Sequence, residues 1–127
     1  MKIMVVDDSL TMLRIIVVNL KKAGYENIIE ADDGKSALEQ LMELQISGGL
    51  PTVILLDWNM PEMNGIDLLK LLKADAKLKS IPVIMVTTEA EKERVMYALQ
   101  CGAMGYLVKP ITPDSFQKQV VERLPKE

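Results

Sequence analysis

Histidine is missing altogether from these 127 residues, and cysteine occurs once, as Cys101. Without an imidazole the chain cannot carry a Ser-His-Asp triad, an imidazole-ligated zinc ion or a phosphohistidine of its own. A single cysteine cannot form an intramolecular disulfide. Cys101 sits in a helical pattern away from other metal-ligating residue types, which assigns it to packing. Long apolar runs are absent as well: Ile3 to Val6 and Val53 to Leu56 are four residues each, against the ~18 that a membrane span needs. Met1 is followed by one lysine, a four-residue apolar run and then Asp7, too short and too soon acidic for a secretory signal. Nor is there an excess of positive charge. Fifteen basic side chains face 18 acidic ones, for a net charge of −3 and a pI near 5.1, so neither nucleic acid nor a membrane surface is an expected partner. The expected location is the cytoplasm.

What is present is ample apolar material. Hydrophobic residues make up 49% of the chain, enough for one substantial core in one domain over residues 1–127. No repeat, linker or low-complexity tract divides it. Short β-rich runs alternate five times with helical patterns. A strand over Lys2 to Val6 precedes a helix from Leu10 to Ala23, ended by Gly24. A strand over Asn27 to Ala31 precedes a helix opening near Asp33 and Gly34, with Ser47 to Pro51 read as a loop. A strand over Val53 to Leu56 leads through a turn with Pro61 and Asn64-Gly65 to a helix from Gly65 to Lys73. The fourth strand, Val83 to Val86, precedes a helix whose start, Thr88 to Glu91, has capping-box spacing and whose end is Gly102. The fifth, Gly105 to Val108, precedes a helix capped by Thr112, with Pro113 at its first position, Phe116, Val120 and Leu124 at helical spacing, and Pro125 as its stop. Alternation of apolar strands with helices predicts a three-layer α/β fold around a parallel sheet.

The polar residues gather at one kind of place. Asp7 and Asp8 follow the first strand, Asp57 the third, Thr87 the fourth and Lys109 the fifth. These are carboxyl ends of strands, the edge where open parallel sheets bind ligands. Taken singly each has an ordinary explanation: an Asp pair before a helix is usually a cap, a Thr can merely end a strand, and a lysine before proline is usually a surface charge. Their convergence is what argues for function, since four strand ends carry complementary groups and the second carries nothing comparable. Three carboxylates held together repel one another unless cations are supplied. Lys109 supplies one charge. The remaining all-oxygen set suits a hard divalent ion, with Mg²⁺ the natural choice, and Asp57 beside it could serve as a nucleophile toward phosphorus. The nine methionines, Met60, Met63 and Met85 among them, read as core filler.

Four segments, Val5-Val6-Asp7-Asp8-Ser9, Asp57-Trp58-Asn59-Met60-Pro61-Glu62-Met63-Asn64-Gly65, Val86-Thr87 and Gly105-Tyr106-Leu107-Val108-Lys109-Pro110, resemble the response-regulator receiver family over essentially the whole chain, and within it the stand-alone chemotaxis regulators. The resemblance implies a flavodoxin-like (βα)5 fold with strand order 2-1-3-4-5, which makes the first and third strands neighbours. It implies that Asp57 accepts a phosphoryl group from a sensor histidine kinase of the chemotaxis type. Asp8 and Asp57 would ligate Mg²⁺ directly, Asp7 mainly through water, and Asn59 through its backbone carbonyl. Thr87 and Lys109 would contact the phosphoryl group, Thr87 and Tyr106 would act as switch residues, and a cis Lys109-Pro110 bond would aim the lysine into the site. The implied output is binding, by the fourth helix, fifth strand and fifth helix, to a flagellar motor switch protein, with a phosphatase as a further partner. The chain would then be a signalling switch that assists its own phosphorylation and dephosphorylation rather than an enzyme.

Alternatives are a relay or phosphate sink passing the group to a histidine phosphotransfer protein, and an Asp-nucleophile phosphohydrolase, which would lack an acid where Asn59 stands. A nucleotide binder is disfavoured by an acidic loop after the first strand and by the absence of Walker and G-x-G-x-x-G sequences. Asn64, Thr88 and Ile111 depart from the usual receiver pattern and bear on partner choice and switching kinetics.

Overall fold

A computed structural model describes residues 1–88 and 92–124. Five strands and five helices alternate: β1 (Ile3–Val6), α1 (Leu10–Lys22), β2 (Ile28–Ala31), α2 (Gly34–Ser47), β3 (Val53–Asp57), α3 (Gly65–Ala74), β4 (Val83–Thr87), α4 (Lys92–Gln100), β5 (Gly105–Val108) and α5 (Pro113–Gln119), followed by a 3-10 turn over Val121–Arg123. The strands form one parallel sheet in the order β2-β1-β3-β4-β5. This is the expected α/β, flavodoxin-like arrangement.

Side chains alternate across each strand, so every central strand feeds two cores. Met4, Val6, Ile54, Leu56 and Met85 point into one, roofed by Ala37 and Leu41 of α2, Leu68, Leu69 and Leu72 of α3 and Ala98 of α4. Ile3, Val5, Val53, Leu55, Ile84 and Val86 point into the other, roofed by Leu13, Ile16 and Leu20 of α1 and by Phe116 and Val120 of α5. β1, β3 and β4 are buried along their whole lengths, which explains their unbroken apolar sequences. The two outer strands are half-covered.

Helix ends obey local chemistry. Ser9, Asp33, Asn64 and Thr112 cap α1, α2, α3 and α5 with side-chain oxygens that accept backbone N–H groups. Gly24 and Gly102 follow α1 and α4 in the left-handed region, at φ +98° and +108°. In each case the next residue's N–H reaches back into the last turn, from Tyr25 to Leu20 and from Ala103 to Ala98. Two expectations fail here. Ser47 is the last residue of α2 rather than loop, because Gly48 at φ +83° supplies the helix stop one residue later. α5 ends at Gln119, and the segment through Arg123 tightens into a 3-10 turn that still buries Leu124. The expected capping box over Thr88 to Glu91 depends on residues 89–91, which, like the stop at Pro125, lie outside the described residues.

Lys73 shows how a charged side chain can hold a loop. Its ammonium donates to the carbonyls of Lys79 at 3.0 Å and Ile81 at 2.9 Å, bracing the segment between α3 and β4. Its stem lies under Gly102, where a Cβ would meet the Lys73 Cγ at 3.0 Å. Burial moves its pKa downward. Lys73→Met should therefore lower stability by about 1–2 kcal/mol, since two carbonyls lose a charged donor while the apolar stem is kept. Urea unfolding of the two proteins checks this, and an unchanged midpoint would contradict it.

Candidate phosphoacceptor and metal site

The register carries the polar groups to one edge. Val6 lies beside Leu56 and Asp57 beside Val86, so the residues that continue these strands, Asp7, Asp57 and Thr87, stand side by side. Thr87 lies beside Val108, and the Lys109 N–H donates to the Thr87 carbonyl at 2.7 Å. Asp57 and Thr87 are the last residues of their strands rather than the residues after them, one position longer than expected. Asp7, Asp57 and Thr87 are the buried polar side chains among the described residues.

Oxygens of Asp7, Asp8 and Asp57 all lie within 4.8 Å of one another. The Lys109 ammonium, whose side chain is 15% exposed, sits 3.1 Å from Asp7 Oδ2 and 3.2 Å from Asp57 Oδ1. Only the second contact is aligned as a hydrogen bond. Asp7 Oδ1 accepts the N–H of Ser9 at 2.9 Å, which fixes that carboxylate, while Asp7 Oδ2 is buried with an ionic neighbour but no aligned donor. Ser9, not the Asp pair, caps α1, through the Met12 N–H. The expected cis bond is present at Lys109-Pro110.

Burial is the main reason the Asp57 pKa rises to about 6; Asp7 adds to the rise, and Lys109 opposes it. For Lys109 burial pulls downward, and Asp57 and Asp7 more than reverse it, so its pKa is raised. The site thus holds three carboxylates against one ammonium, with a buried oxygen lacking an aligned donor. That donor set, all oxygen and net negative, fits a hard divalent cation. Asn59 is exposed on the turn that follows Asp57, and Tyr106 is half-buried on β5, packed against the α2–α4 core.

Some of what builds the site was not apparent from sequence. Gly65 opens α3 so close beneath Asp57 that a Cβ would overlap the Asp57 carbonyl oxygen, and its N–H donates to the Trp58 carbonyl at 2.8 Å. The Asn64-Gly65 pair signalled a turn but not this contact. Glu62, in the same loop, has φ 65°, a left-handed conformation uncommon for such a residue. Asp32 and Asp33 follow β2, so that strand end also carries carboxylates, where nothing comparable was expected. Asp33 is spent on capping α2, its carboxylate accepting from the Ser36 N–H at 2.6 Å. Trp58, 8% exposed, packs in the α2–α4 core, with the Arg94 guanidinium 5.3 Å from its ring centroid.

A parallel sheet with buried carboxylates and a lysine converging at its topological switch point defines a class of α/β domain with an acidic, cation-ready site. Residues 3–121 match the model of the response regulator receiver domain family, and the chain belongs to that family. It is 46% identical over 120 residues to chemotaxis protein CheY1 of Helicobacter pylori, covering 94% of each chain. It is 45% identical over 127 residues to chemotaxis protein CheY-3 of Vibrio cholerae, covering 98% of this chain and 94% of the other. Among solved structures, chemotaxis protein CheY4 of Vibrio cholerae superposes with a TM-score of 0.83 at 32% identity, over 97% of this chain and 98% of that one. The bacteriophytochrome response regulator RtBRR gives 0.87 at 30% identity, over 99% and 80%. The chain is a CheY-like receiver, a signalling protein.

The raised Asp57 pKa has a consequence for stability. Between the ordinary value of 3.8 and about 6 the folded state holds a proton at Asp57 that the unfolded state has released, so metal-free stability falls as pH rises through that window. Asp57→Asn removes the cost. Without metal, the variant should exceed the wild type by up to about 3 kcal/mol at pH 8 and match it near pH 4. Saturating Mg²⁺ should close the gap. Urea unfolding at the two pH values checks this, and a pH-independent difference would contradict it.

Proposed function

We propose that residues 1–127 act as a single receiver domain that takes a phosphoryl group on Asp57 from the phosphohistidine of a chemotaxis-type sensor kinase. The observation that supports this reading is the grouping of Asp7, Asp8 and Asp57 in a CheY-like receiver, with the Lys109 ammonium between Asp7 and Asp57. A carboxylate oxygen of Asp57 forms the new bond to phosphorus, the N–P bond of the donor breaks, and the imidazole leaves with the electron pair. Asp7, Asp8, Asp57 and the backbone carbonyl of Asn59 are the groups that would hold Mg²⁺, which when bound neutralises charge on the phosphoryl oxygens. Lys109 pairs with the developing negative charge, and the Thr87 hydroxyl donates to a phosphoryl oxygen. The chain so assists its own phosphorylation and its dephosphorylation, in which water forms the new bond to phosphorus, the Asp57 oxygen–phosphorus bond breaks, and the carboxylate leaves with the electron pair.

The phosphoryl group brings about −1.5 to −2 charges to a pocket that already holds three carboxylates. Its contacts with Thr87 and Lys109 favour a state in which the β4 and β5 ends draw inward and Tyr106, half-buried at rest, closes against the core. Tyr106 and α4 then alter the face made by α4, β5 and α5, which would meet a flagellar motor switch protein in the cytoplasm, with a phosphatase as a further partner. No helix among the described residues is long and apolar enough to cross a membrane.

Trp58, the only tryptophan, adjoins Asp57 and reports on it. Its emission should change on adding Mg²⁺ and change again on adding acetyl phosphate, the second change being lost in Asp57→Asn. No response to either addition in folded wild type would sink the phosphoacceptor reading.

A further inference from the structure

Helix α4 is poorly anchored by apolar burial among its described side chains. Among its described side chains only Ala98 is fully buried, while Met96, Tyr97 and Leu99 are 49%, 41% and 45% exposed. Two cation–π contacts join it to the body instead. The Lys70 ammonium of α3 lies 5.0 Å from the Tyr97 centroid, and Arg94 lies over Trp58. Exposure separates them. Tyr97 is open to water, where such a contact contributes little, whereas Trp58 is 8% exposed and sits in the core, where desolvation strengthens it. The root of the Trp58 ring is also fixed, because its backbone N–H donates to the Val86 carbonyl at 2.9 Å, one residue past Asp57.

We propose that Arg94 is a positioning residue that ties α4 to the phosphoacceptor turn through the Trp58 ring, so that the resting place of α4 is set from the residue next to Asp57. This deepens the proposed switch and rests on that reading for its purpose, though not for its test. With one buried side chain among those described, α4 has few contacts of its own to resist displacement. The guanidinium-on-indole contact supplies the missing constraint at the end of α4 nearest the site. Any change that Asp57 imposes on Trp58 therefore reaches α4 by a single contact.

Hydrogen exchange of the α4 amides from Val95 to Gln100, read by NMR on the full chain without metal or phosphodonor, tests this. Arg94→Gln should speed that exchange by about fivefold to thirtyfold, the size of a desolvated cation–π contact. Amides of β1 and β3 should be unaffected. Arg94→Lys should recover part of the protection, and Arg94→Gln should add nothing in a Trp58→Leu background. Should Trp58→Leu not fold, Trp58 emission in the Arg94→Gln protein reads the same contact with the indole intact, and a shifted emission is expected. Equal α4 exchange in wild type and Arg94→Gln, an unshifted emission, or an effect of the same size with and without the indole would overturn the proposal. Neither metal nor phosphodonor enters the experiment, so a failure of phosphorylation at Asp57 would be seen separately.

Discussion

The Lys109 ammonium between Asp7 and Asp57 is the contact on which the site depends. Three carboxylates with oxygens inside 4.8 Å, Asp7 and Asp57 buried and Asp8 exposed, repel one another strongly without a cation among them. One lysine from the far edge strand supplies it, at 3.1 and 3.2 Å from two of the three. The compensation is incomplete, since burial and Asp7 still lift the Asp57 pKa to about 6. That residual imbalance is what the proposed metal binding and phosphorylation would draw on. A site already neutral would have little use for a divalent ion, and one with no lysine would not hold its carboxylates in place.

Sheet order makes this possible. Because β3 lies between β1 and β4, Asp57 is flanked by the end of β1 on one side and of β4 on the other, and Lys109 needs only the length of its side chain to return from β5. The buried lengths of β1, β3 and β4 fix these ends rigidly, while the turn after Asp57 is shaped by the close approach of Gly65. Rigidity is greatest on this side of the pocket. On the other side α4 is lightly packed, and in the proposed switch that contrast would let a local change of charge become a displacement of a helix.

Much of this was legible in the sequence because the signals were local. Unbroken apolar runs marked the strands, Gly24 and Gly102 marked helix ends, Thr112-Pro113 marked a helix start, and the polar residues stood where strands stop. Resemblance supplied the strand order, which no local pattern encodes. What stayed hidden depends on tertiary placement. Nothing in the sequence near Arg94 says that it covers Trp58, and the Asn64-Gly65 turn signal does not say how closely Gly65 approaches Asp57. The same limit applies to α5, whose helical spacing runs through Leu124 although the backbone tightens after Gln119.

The most direct measurement is chemical identification of the phosphorylated residue. Wild-type protein would be treated with acetyl phosphate and Mg²⁺, reduced with borohydride, which converts an aspartyl phosphate to homoserine, and mapped by peptide mass spectrometry. The charge arrangement at Lys109 predicts homoserine at position 57 and nowhere else, dependent on Mg²⁺. Conversion at Asp7 or Asp8, or none at all in folded protein, would contradict it.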